Sequence, residues 1–118
     1  MDKGIAEVDV GVGLSDSELV SYKYLKHNDK LEIHLLAWNG KDVQINCINP
    51  IFFVDRGCEA ITMFCEKLSE LNLLREVLEK NYEDGRIPEN HPYKLYQLLD
   101  LDDNPCIEVI CEGVEVQK

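Results

Sequence analysis

Residues 31–48, LEIHLLAWNGKDVQINCI, decide the fold. Leu31, Ile33, Leu35 and Ala37 alternate with Glu32, His34 and Leu36, and Val43, Ile45 and Cys47 alternate with Gln44 and Asn46. This period of two marks a pair of half-buried strands joined by a hairpin. Asn39-Gly40 suggests a two-residue loop, but that register would set Leu35 against Gln44 and Ile33 against Asn46. A three-residue loop, Trp38-Asn39-Gly40, sets Leu35 against Val43, Ile33 against Ile45 and Leu31 against Cys47. It also puts Gly40 at the left-handed position of a type I turn followed by a bulge. A slip of one residue would turn every apolar side chain outward, so the hydrophobic match selects the longer loop. His34 and Gln44 then share the outer face.

Working outward, Ala6, Val8, Val10, Val12 and Leu14 keep period two and predict a strand over 5–14. The Gly11-x-Gly13 within it lacks the following helix and further glycine of a dinucleotide fingerprint. A second strand is expected over 19–26 and a short buried one over 51–54, after the break at Asn49-Pro50. Residues 58–67 fit either element: Ile61, Phe64, Cys65 and Leu68 stack on a helix, whereas Ile61, Met63 and Cys65 alternate on a strand. A helix is expected over 69–83, with Ser69 as N-cap and Leu71, Leu74, Leu78 and Tyr82 at helical spacing. Strands over 93–101 and 106–116 close the chain. In the latter, Ile107, Val109 and Cys111 have odd parity and Val114 and Val116 even, which predicts a bulge at Gly113. The whole reads as one α+β domain over 1–118: a mostly antiparallel sheet of about five to seven strands with one principal helix across a face.

The chain carries 12 Lys+Arg against 23 Asp+Glu, a net charge of −11, and its 118 residues suit one domain. Residues 1–57 hold nine acids and six bases, and residues 58–118 hold fourteen and six. Such a field repels nucleic acid and anionic membranes and attracts basic proteins. No apolar run is long enough to span a bilayer, and Met1-Asp2-Lys3-Gly4 has no secretory pattern. Five cysteines, at 47, 58, 65, 106 and 111, show no Cys-x-x-Cys spacing. They are expected as reduced, mostly buried thiols in a cytoplasm, with no structural metal and no cofactor.

The chemical constellations are sparse. Asp100, Asp102 and Asn104 match the first, third and fifth ligands of a calcium hand loop, but Pro105 and Cys111 stand where its Gly and Glu belong. Cys58, after Gly57, would gain reactivity at a helix start, although Glu59 acts against this. His27, His34 and His91 share no ligand spacing. No serine elbow, phosphate loop or His-Glu-x-x-His helix is present, so no catalytic site is expected. Trp38, the single Trp, is either an interface anchor at a hairpin tip or a ring folded back onto the sheet.

In its general design the chain resembles the immunity proteins of bacterial polymorphic-toxin and contact-dependent inhibition systems. The resemblance lies in a compact acidic α+β domain without an active-site motif. Its parts are the meander LEIHLLAWNGKDVQINCI, a helix, and the acidic hairpin YKLYQLLDLDDNPCIEVICEGVEV. It implies a non-enzymatic cytoplasmic inhibitor that binds one cognate toxin, often a nuclease, and carries over no functional residue; the alternative is another protein-binding or regulatory domain, or a small-molecule-binding domain of unfamiliar type. Charge and aromaticity nominate Trp38, Asp100, Asp102, Asp103, Glu108 and Glu112 as partner-binding residues.

Overall fold

A computed structural model describes residues 4–117. Among them, nine strands and one α-helix run in the order β1 (Ile5–Glu7), β2 (Glu18–Leu25), β3 (Lys30–Leu36), β4 (Asp42–Ile48), β5 (Phe52–Asp55), β6 (Ile61–Lys67), α1 (Asn72–Asn81), β7 (Lys94–Asp100), β8 (Pro105–Cys111) and β9 (Gly113–Gln117). They form two antiparallel sheets, β1-β6-β7-β8-β5 and β2-β3-β4-β9. The fold is α+β and mostly sheet. Its strand count exceeds the expected five to seven because the chain changes sheets where the sequence reads as continuous.

The inner faces of the two sheets make the main core. Ile33 and Leu35 of β3, Val43, Ile45 and Cys47 of β4, and Leu98, Ile107 and Val109 of the larger sheet are all buried in it. The β3–β4 register is the one the hydrophobic match selects: Leu35 opposite Val43, Ile33 opposite Ile45, Leu31 opposite Cys47. Gly40 has φ +81°, and the Ala37 and Gly40 amides donate to the Lys41 and Ala37 carbonyls, closing a three-residue loop. His34 and Gln44 bond to each other on the outer face at 2.6 Å.

A smaller core lies on the outer face of the five-stranded sheet, where Leu74 and Leu78 of α1 pack with Leu95 and Ile110. The helix starts at Asn72, not Ser69. Glu70 has φ +54°, and the Leu68 amide donates to the Gly4 carbonyl at 2.6 Å, so backbone pairing holds this linker out of the helix. A side chain at Gly4 would strike the Ser69 hydroxyl.

Two further expectations change, and the open reading of residues 58–67 closes. Residues 8–14 are not a strand; they cross from one sheet to the other, and Val10 and Leu14 plug the core without a ladder. Residues 61–67 are a strand because both neighbours, β1 and β7, pair with them. The parity change near Gly113 is a change of sheet rather than a bulge. β8 ends at Cys111 and β9 pairs with β4, so Val114 and Val116 reach the same core from the opposite side.

The cysteines are not all free. Cys58 and Cys106 form a disulfide with Cα atoms 5.1 Å apart, and Cys47, Cys65 and Cys111 are buried thiols. The pairing of β5 with β8, extended by the Arg56 amide donating to the Cys106 carbonyl, brings the two together across 48 residues of sequence. Linear spacing cannot show this. Burial pushes the Cys65 thiol up to about 11. The hydrogen bond with Cys111, and then burial, push Cys47 up as well.

Candidate partner-binding surface

Strand registers define which loops share an end of the molecule. Leu36, at the foot of the β3–β4 turn, pairs with Glu18; the preceding Ser17 bridges Ile61; Ile61 pairs with Asp100. The Trp38 turn, the Gly57–Ala60 loop and the Asp100–Asn104 turn therefore lie at one end. At the other end the Asn49 amide donates to the Asp29 carbonyl and the Glu112 amide to the Ile48 carbonyl.

The Asp100–Asn104 turn is built by Asp100 itself. Its Oδ1 accepts from the Asp102 amide at 2.9 Å and the Asn104 amide at 3.0 Å, while Asp103 adopts φ +61°. With Asp100 engaged in the turn, Asp102 and Asp103 project as exposed carboxylates, and Leu101 before them is 69% exposed. Gly57, Glu59 and Ala60 meet Asp100, Leu101 and Asp102 around a shallow notch of about 200 Å³. Glu59 thus joins the acidic group, although it is far from the turn in sequence and no local signal marks it. A notch that sets the Glu59, Asp100 and Asp102 carboxyls beside Ala60 and Leu101 suits the head and stem of a Lys or Arg.

The nominated acids do not form one patch. Asp100, Asp102 and Asp103 sit together, and Glu112 lies at the opposite end. Glu108, on central strand β8, is only 6% exposed. Its Oε1 accepts from Arg56 Nε at 2.9 Å and Nη2 at 2.7 Å, and its Oε2 accepts from Gln97 Nε2 at 2.9 Å. Glu108 therefore neutralises a cation of its own chain and leaves the exposed acidic set. Its charge nominates it from sequence; its burial under Arg56 is a tertiary contact.

Trp38 is 66% exposed on the tip of its turn, where the Asn39 side chain accepts from the Lys41 amide. The ring is not folded back onto the sheet.

No group of three or more His, Cys, Asp or Glu side chains able to hold a metal occurs among the described residues. The calcium-like turn spends Asp100 on backbone amides instead. A solvent-open cleft of about 360 Å³ between α1 and residues 87–91 brings Arg75 and His91 near Leu74 and Leu78. Among the described residues, no helix is long and apolar enough to cross a membrane. Comparison with family models, with curated proteins and with solved structures finds no match to this chain.

Proposed function

We propose that this chain is an immunity-type inhibitor that binds and neutralises a basic protein, of the nuclease-toxin class, through its acidic end. One observation carries the reading: Glu59, Asp100 and Asp102 surround the exposed Leu101 at the same end as the exposed Trp38. A nuclease must present cations to phosphates, and carboxylates held on short turns can meet those cations instead. Exposed Trp38 and Leu101 add the apolar contact that slows dissociation. A disulfide persists best in oxidising surroundings, so the cysteines do not assign a compartment.

The test co-expresses the chain with a candidate toxin from a neighbouring reading frame and measures binding kinetics at two salt concentrations. Glu59→Lys/Asp102→Lys is expected to slow association about tenfold at low salt and less at high salt. Trp38→Ala is expected to speed dissociation instead. Glu112→Lys, at the far end, should leave both rates unchanged. Salt-insensitive binding, or an unchanged association rate with the double reversal, removes the acidic end from the interface.

A further inference from the structure

We infer that the chain forms a symmetric dimer in which β2 of one copy pairs antiparallel with β2 of a second, about a two-fold axis at Tyr22. β2 is eight residues long and ends its sheet, paired among the described residues with β3 alone. An edge of that length presents a row of backbone donors and acceptors to another strand. Beneath it lies β5, which ends the other sheet, so the sandwich is open along this side. The opening is a mostly apolar groove of about 450 Å³, lined by Tyr22, Tyr24, Leu31, Ile51, Phe52 and Phe53. Tyr22 and Tyr24 point from β2 toward the core side, as their partners Ile33 and Leu31 do, yet Tyr24 remains 52% exposed. Their rings are held in place: Tyr22 lies 4.7 Å from Phe53 and donates to Asp55, and Tyr24 donates to Asp29.

Charge selects the occupant. A basic partner is drawn to the acidic end, and an acidic one is repelled by the net charge of −11. Residues 18–36, by contrast, hold three acids and three bases, so this is where two copies of an acidic chain can approach. The sequence of β2 is also complementary to itself about Tyr22. Antiparallel pairing there sets Val20 of one copy against Tyr24 of the other and Ser21 against Lys23, and it brings Glu18, at the start of β2, towards Lys26 in the turn that follows the strand. Centring one residue later would oppose Lys23 to Lys23. With the two-fold axis normal to the sheet, Tyr22 and Tyr24 of both copies face the same side, above their β5 strands. The contact is isologous, consumes both β2 edges and cannot propagate. The bulge between Leu19 and Ser21 lies outside the Ser21–Lys23 centre of the pairing.

Sedimentation equilibrium of the whole chain decides it. The expected mass at micromolar concentration is twice 13.6 kDa. Glu18→Lys, an exposed change that leaves the fold intact by circular dichroism, should raise the dissociation constant about tenfold or more by opposing Lys to Lys at both ends. Adding Lys26→Glu should restore the dimer. A wild-type chain still monomeric at about 0.5 mM overturns the inference, as does a dimer that Glu18→Lys does not weaken or that the second change does not rescue.

Discussion

Arg56 closes over the outer face of the five-stranded sheet and places two nitrogens on Oε1 of Glu108, at 2.7 and 2.9 Å. The bond ties the end of edge strand β5 to central strand β8 and satisfies a carboxylate that has little contact with water. Arg56→Ala should cost about 2 kcal/mol, since it strands a buried charge whose remaining partner is Gln97 but opens a path for water where the half-exposed guanidinium stood. Urea unfolding measures this. Arg56→Ala/Glu108→Leu should recover most of the loss, and a double mutant as unstable as the single one contradicts the account.

Ser17 bridges Ile61 through both backbone bonds, at 2.9 and 3.1 Å, but its buried hydroxyl has no partner among the described residues. The backbone pairing survives Ser17→Ala and the unpaired oxygen is removed. The substitution should therefore raise stability by about 1 kcal/mol. A loss of stability in a thermal or urea melt would show that the hydroxyl is engaged.

The Cys58–Cys106 bond closes a loop of sequence separation 48. Loop-closure entropy makes it worth up to about 4 kcal/mol, so a reductant or Cys58→Ser/Cys106→Ser should lower the urea midpoint clearly. Thiol titration in denaturant checks the pairing directly. Three of the five cysteines should react without reductant, and all five with it.

Alkaline pH should loosen the core. The Cys65 thiol sits at about 11 in the fold against 9.0 when unfolded, and the Tyr96 hydroxyl at about 12 against 10.0, both raised chiefly by burial. Above pH 9 the unfolded chain releases these protons first, so the stability they carry is whole below pH 9 and is lost as pH climbs through 11 to 12. Denaturation at pH 8, 9.5 and 10.5 should show a steady decline. Cys65→Ala should make that decline shallower between pH 9 and 11, and an unchanged slope would mean that the thiol ionises freely in the fold.

Local alternation determined a good deal on its own. The β3–β4 register follows from matching Leu31, Ile33 and Leu35 to Cys47, Ile45 and Val43, and the loop from Gly40 at φ +81°. The strand over Lys94–Asp100, the apolar stripe of α1 and the acidity of the Asp100–Asn104 turn were equally plain, because each depends on neighbours in sequence.

Tertiary structure decided the rest. Alternation reports which side chains are buried and not whether a strand lies alongside, so residues 8–14 look like β1 but only cross between sheets. Parity cannot tell a bulge from a change of sheet at Glu112, since both turn Val114 and Val116 inward. The meeting of Cys58 with Cys106, of Arg56 with Glu108, and of Glu59 with Asp100 and Asp102 depends on strands paired from distant parts of the chain. The sequence set how acidic this protein is; the stacking of its two sheets decided which acids face a partner, because it buries Glu108, sends Glu112 to the far end and leaves Asp102 and Asp103 exposed.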